Sequence, residues 1–285
     1  MRQRTLTWLW LSIVGVVSVS LASSALVQAE HHEQKESSAA LQAILSGSHR
    51  SDADKARDQY RHPVETLTWF GITDGMTVVE VTPGGGWYTD ILAPFLKERG
   101  TYYAAGFDPD SEVEYMKKGA QRFKEKLAAN PEVFGKTKVT VLAPPDKTDI
   151  APEGSADMVL TFRNVHNWMA QGQSEAVFKA MYKALKPGGI LGVVEHRGKP
   201  DIEQDPKAAS GYVRQDVVIK MAEQAGFQLV DRSEINANPK DTKDYPQGVW
   251  TLPPVLRLKD ADKDKYLAIG ESDRMTLKFV KPAEK

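Results

Sequence analysis

The 285-residue sequence contains no cysteine. That absence excludes disulfide frameworks, iron–sulfur clusters, thiolate zinc sites and cysteine nucleophiles. Charge bias is also missing. With 37 Lys and Arg against 38 Asp and Glu, the formal net charge is −1. No long-range field draws such a chain to nucleic acid or to anionic lipid. Beyond residue 29 no run is apolar enough to span a membrane, and no internal repeat or low-complexity tract is visible. What remains is ordinary for a globular protein: 41% hydrophobic and 26% charged residues, on a length that buries one sizeable core.

The N-terminus reads as a separate object. Arg2 and Arg4 are the only charges before Glu30, the stretch from Leu6 to Leu21 is apolar, and Val27-Gln28-Ala29 offers a small-x-small cleavage site. The order charged, apolar, small predicts a secretory signal peptide over residues 1–29. An uncleaved anchor is the alternative, against which Ser12, Ser18 and Ser20 interrupt a short apolar core. Residues 30–49, with His31 and His32, read as a polar, flexible leader, and residues 50–285 as an α/β domain. The signal predicts passage across the inner membrane to the periplasm, with no stable membrane insertion after cleavage. Without a disulfide in that oxidising compartment, the domain is held by its core alone.

Apolar periodicity then alternates between two and 3.6 residues. Helical patterns lie at Ser51–Phe70, broken by Pro63, and at Tyr88–Arg99, Glu112–Ala129, Ser174–Leu185 and Val213–Ala225. Strand patterns lie at Met76–Val81, Thr101–Phe107, Lys138–Leu142, Ala156–Phe162, Ile190–Glu195, Phe227–Ile235 and Met275–Val280. Alternation of this kind predicts βαβ units and a mainly parallel sheet covered on both faces. No helix pattern separates the last two strands, so they are expected to pair antiparallel. The long connection from Asn236 to Arg274 reads as functional or partly disordered.

The most informative stretch is Glu80-Val81-Thr82-Pro83-Gly84-Gly85-Gly86-Trp87-Tyr88. A buried strand ends in an acid, a glycine turn follows and a helix begins. Ligands of open α/β sheets bind at such carboxyl ends, and glycines there allow close backbone approach. A dinucleotide fingerprint counted from Gly84 fails at Thr89, and no Walker lysine is present.

The acid-x-Gly-x-Gly-x-Gly pattern resembles motif I of the class I S-adenosylmethionine-dependent methyltransferases, with Thr82 replacing the first glycine. Gly106-Phe107-Asp108, Asp146-Lys147-Thr148-Asp149-Ile150, Ala156-Asp157-Met158-Val159-Leu160, Leu185-Lys186-Pro187-Gly188-Gly189 and Ala225-Gly226-Phe227 extend the resemblance over most of the domain. Arg61-His62-Pro63, Asn164-Val165-His166-Asn167-Trp168 and Ser272-Asp273-Arg274 resemble a subgroup of exported bacterial members. The resemblance implies a Rossmann-like methyltransferase fold: seven strands, mostly parallel, an antiparallel last strand and an N-terminal helical cap. It implies S-adenosyl-L-methionine as cofactor, held by Glu80, Thr82, Gly84, Gly85, Gly86, Asp108, Asp146 and Asn164, with Asp108 on the ribose hydroxyls and Asp146 near the adenine amine.

Transfer to an O–H or N–H acceptor needs alignment and a proton acceptor. His166, His196 and Glu195, at the ends of the fourth and fifth strands, are the candidate catalytic residues. Arg61, His62, Tyr88 and Trp168 are candidate substrate contacts, and Trp87 and Trp250 candidate walls. No short-range spacing indicates a metal site. The expected partner is a small-molecule substrate and not nucleic acid. A non-catalytic ligand-binding or accessory protein that retains the fold is the alternative.

Overall fold

A computed structural model of the chain describes residues 32–283, so the expected signal peptide lies outside the described residues. Strands β1 (Thr77–Val81), β2 (Thr101–Gly106), β3 (Lys138–Val141), β4 (Ala156–Phe162), β5 (Leu185–His196), β6 (Gln228–Ser233) and β7 (Arg274–Val280) form one sheet in the order β3-β2-β1-β4-β5-β7-β6. All pairings are parallel except those of β7, which runs antiparallel to both β5 and β6. This is the sheet expected from the alternating periodicity.

Ahead of β1 stand α1 (residues 32–45), α2 (Asp52–Lys55), α3 (Asp58–Arg61) and α4 (Pro63–Phe70). The break at Pro63 is sharp: His62 adopts φ 41, and Pro63 opens α4 at a position where its missing N–H is not needed. Helices α5 (Thr89–Leu96), α6 (Glu114–Ala129), α7 (Pro131–Phe134), α8 (Val165–Gln171), α9 (Ser174–Ala184), α10 (Gln215–Gln224) and α11 (Lys263–Ile269) complete the chain. Among the described residues no helix is long and apolar enough to cross a membrane.

The sheet divides the interior in two because side chains alternate along each strand. Val79, Val81, Val159, Leu191, Val193 and Leu277 pack on one face with Phe178 and Met181 of α9. Val78, Leu160 and Val194 pack on the other with Leu67 and Phe70 of α4 and Ile91 of α5. That parity also places Glu80 on the α4/α5 face, buried.

Two expectations change. The stretch read as a flexible leader is helical over residues 32–45, with Leu41 fully buried among Leu67, Phe70 and Ile91. Leu41, Ile44 and Leu45 sit at helical spacing, a short apolar stripe set among small and polar residues, Ser37, Ser38, Ser46 and Gly47 among them. The connection after β6 is ordered rather than disordered. Asn236 donates to Thr66 (2.9 Å) and Thr276 (3.0 Å), Asn238 to the Ile269 and Glu271 carbonyls, and Asp241 accepts from Tyr212 and from the Asp273 N–H.

Candidate functional site

The carboxyl ends of β1, β2 and β4 open onto a cavity of about 790 Å³. Thr82, Gly84, Asp108, Asn164 and Trp168 line it, with Pro144 on the β3 side. An apolar cavity of about 500 Å³ shares Thr82, Gly84 and Phe107 with it and runs beneath α6 and α7. The apolar face of α6 therefore borders space, and only Phe123 of that helix is buried.

The glycine turn has a definite mechanical logic. Gly84 has φ +60, and a Cβ there would meet nothing within 4 Å, so the backbone itself presents to the cavity. Gly86 has φ +79 and lies against Lys126 and Phe123; neither it nor Gly85 lines the cavities. Thr82 adopts φ 53, a conformation costly for a β-branched residue. The neighbouring contacts hold it. Its N–H donates to the Ala105 carbonyl at 2.8 Å, and the Asn164 side-chain amide donates to the Val81 and Thr82 carbonyls at 3.0 and 3.2 Å. Asn164 thus ties the end of β4 to the glycine turn.

Asp108 stands at the cavity wall. Lys147 donates to its Oδ2 at 2.6 Å and the Asp110 N–H to its Oδ1 at 3.1 Å; the lysine contact holds the carboxyl below the usual carboxylate range. Asp146 is exposed in the reversal closed by paired Ala143 and Lys147 hydrogen bonds, and the cavity wall there is Ala143 and Pro144. Glu80 does not face the cavity. Thr89 donates to its Oε2 at 2.9 Å, Tyr102 donates to the same oxygen, and burial pushes the carboxyl up to about 7. The acid of the glycine motif thus anchors α5 to β1.

A second polar cluster forms where β4 and β5 end and β7 begins. Glu195 is fully buried. Its Oε1 lies 3.0 Å from His166 Nδ1 and accepts the His196 N–H at 2.7 Å, while Oε2 accepts the His166 N–H at 3.3 Å. An oxygen already taking one N–H faces His166 Nδ1, so that nitrogen carries the proton and Nε2 is left as an acceptor. His196 lies 5.3 Å from His166 between ring centroids, and its Nδ1 is 2.5 Å from Ser272 Oγ. Burial, then His166 and the nearby arginines, hold His196 well below its ordinary pKa and keep it neutral. Trp250, from the long connection, meets His166 edge-on at 6.0 Å.

Structure thus brings together the three residues proposed for catalysis, although they come from two strand ends far apart in sequence. Their donor atoms lie within 4.8 Å of one another, the compactness a metal site needs and one that sequence spacing did not indicate. The two faces of α8 separate this cluster from the cavity. Asn167, Trp168 and Gln171 turn to the cavity and His166 turns to Glu195, with Asn164 at the junction.

The other sequence candidates spread out. Tyr88 is buried, stacked on Phe162 at 3.4 Å. His62 borders a shallow groove with Leu45 and Glu65, away from the cluster. Arg61 is buried over Trp87 at 4.5 Å, and its Nε donates to Glu271 at 3.1 Å. Sequence reasoning did not single out Arg163, Glu271 or Ser272 as site residues. Ser272 stands in the Ser272-Asp273-Arg274 string, whereas Arg163 and Glu271 had only their positions, at the end of β4 and just before β7, to mark them.

No family model matches the chain, and the comparison with curated proteins gives no match. Among solved structures, the cyclase SpnF is similar at 14% identity over 84% of this chain and 86% of its own, with a TM-score of 0.53. Phosphoethanolamine N-methyltransferase 2 of Haemonchus contortus, in complex with S-adenosyl-L-methionine, is similar at 14% identity over 78% of this chain and 53% of its own, with a TM-score of 0.52. A methyltransferase from Aquifex aeolicus reaches 21% identity over 64% and 87%, with a TM-score of 0.49. At these identities the likeness is one of fold: the chain has the Rossmann-like fold of the class I methyltransferases.

Proposed function

We propose that this protein is an S-adenosylmethionine-dependent methyltransferase acting on a small molecule, delivered across the inner membrane by its N-terminal segment. One observation carries the reading. A cavity of about 790 Å³ at the carboxyl ends of β1, β2 and β4 joins the exposed Gly84 backbone to the Asp108 carboxylate, and a buried His–Glu pair lies just behind Asn164. The residues fit the cofactor. Gly84 offers unobstructed backbone, Asp108 offers two carboxylate oxygens for a pair of hydroxyls once Lys147 yields, and Trp168 offers an aromatic wall. When bound there, S-adenosylmethionine supplies an electrophilic methyl group. His166 Nε2 receives the acceptor's proton while Glu195 fixes the ring and supports its positive charge. His196, beside it, is held neutral and serves as a hydrogen-bonding partner rather than as a base.

Titration calorimetry with S-adenosylmethionine and S-adenosylhomocysteine tests the reading. Saturable binding is expected, and Asp108→Ala weakens it by about tenfold or more through loss of a charged hydrogen-bond acceptor. His166→Ala retains binding and loses methyl transfer. No binding by the wild-type protein defeats the proposal.

A further inference from the structure

The methyl-transfer reading leaves a concentration of positive charge unexplained. Arg57 and Arg61 donate to the two oxygens of Glu271 at 2.7 and 3.1 Å, and Arg274 donates to the same carboxylate. The Glu271, Arg61 and Arg274 side chains are only 1–2% exposed. One carboxylate therefore serves three guanidinium groups. The imbalance shows in their hydrogen bonds: Arg61 Nη1 and Arg274 Nε are buried without a partner.

Arg163 adds a fourth. Its N–H reaches the Val194 carbonyl at 2.7 Å, but among the described residues its guanidinium has no hydrogen-bond or ion-pair partner. Its backbone holds φ 63, an unfavourable conformation for arginine. Burial, then the charge of Arg274, lowers its pKa to about 10. Arg61 and Arg274 are buried, and Arg163 beside them is half-buried; guanidinium groups withdrawn from water without counter-charge are costly, and like charges gathered together add to that cost. Unpaired charge and backbone strain at one residue together mark a place where a ligand completes the structure.

The placement agrees. Arg274 is the direct cross-strand neighbour of His196, so the two side chains share a face of the sheet. Arg163 immediately precedes Asn164, the residue that joins the cofactor wall to the His–Glu cluster. A cation at this rim would meet strong repulsion. An oxyanion would meet the fork that guanidinium presents to carboxylate and phosphate.

We propose that Arg163, backed by Arg61 and Arg274, binds the carboxylate or phosphate group of the methyl acceptor. The identity of the ligand as acceptor rests on the methyltransferase reading, whereas the oxyanion site stands without it.

Calorimetry on the whole protein tests this with malonate and with inorganic phosphate, using chloride at matched ionic strength as the control, each with and without S-adenosylhomocysteine. The expected result is saturable binding of at least one oxyanion, weakened about tenfold or more in Arg163→Gln and less in Arg163→Lys. Malonate against phosphate tells carboxylate from phosphate recognition. S-adenosylhomocysteine affinity should be unchanged in Arg163→Gln, which also reports that the variant is folded, and oxyanion and nucleoside should bind together. Binding no stronger than chloride, or undiminished in a folded Arg163→Gln, overturns the proposal. Displacement of the oxyanion by S-adenosylhomocysteine also overturns it, since the cluster would then hold the cofactor's own carboxylate. Oxyanion binding without any S-adenosylhomocysteine binding leaves the site standing and removes the methyltransferase reading.

Discussion

Replacing Glu80 by glutamine should change how stability depends on pH, and should do so in one direction. Glu80 is buried on β1, facing α5, with its carboxyl raised from 4.5 to about 7 by burial, against which hydrogen bonds from Tyr102 and Thr89 work. A carboxyl that holds its proton longer when folded contributes stability that is fully present below 4.5 and is lost as the pH rises through about 7. The displacement corresponds to about 3 kcal/mol. Glutamine matches the protonated carboxyl in shape and accepts the same Tyr102 and Thr89 hydrogen bonds. Urea unfolding of both proteins should therefore give similar stabilities near about pH 5 and a glutamine variant more stable by about 2–3 kcal/mol near about pH 8.5. Other titrating groups cancel in the comparison, because only one residue differs. Parallel stability profiles across that range would refute the argument and mean that Glu80 ionises freely in the folded protein.

Leu41→Ala should destabilise the fold by about 2–5 kcal/mol in urea unfolding, as a fully buried leucine does in a core; a negligible change would mean that α1 is not part of the domain. Glu271→Gln removes the carboxylate shared by Arg57, Arg61 and Arg274 and should cost about 3–5 kcal/mol, with loss of the stability that the wild type gives up when acid protonates this residue. The sign is fixed by the shift. Burial alone would raise the Glu271 carboxyl, but Arg274, Arg61 and Arg57 pull it below its ordinary value, so its contribution is present above the usual carboxylate range and falls away with decreasing pH.

Much of this fold is legible because each strand and helix declares itself over a few residues. Val78, Val79 and Val81 announce β1, and the two core faces follow from their alternation. The antiparallel placement of β7 agrees with the expectation, but the ground for it does not: α11 does lie between β6 and β7, a seven-residue helix within the long connection that makes no parallel crossover. Leu41 shows the limit. Its stripe is one turn long amid small and polar residues, and the helix becomes evident only when Leu67 and Phe70 are there to receive it.

The site divides in the same way. The glycine turn and Asp108 are local in sequence, and Gly84 and Asp108 both border the cavity at the carboxyl ends of the strands. Glu80 shows why a motif is not a geometry: one residue of parity turns the motif's acid from the ligand side to the α5 side, where Tyr102 and Thr89 close over it. The arginine cluster is the extreme case. Arg57 reaches Glu271 across a sequence separation of 214 residues, and nothing near either residue signals the other. Only folding gathers Arg57, Arg61, Arg163 and Arg274 at one rim. Their charge is unbalanced, because a single buried carboxylate leaves Arg61 Nη1 and Arg274 Nε without partners, and the proposed oxyanion is the kind of group that would offset it.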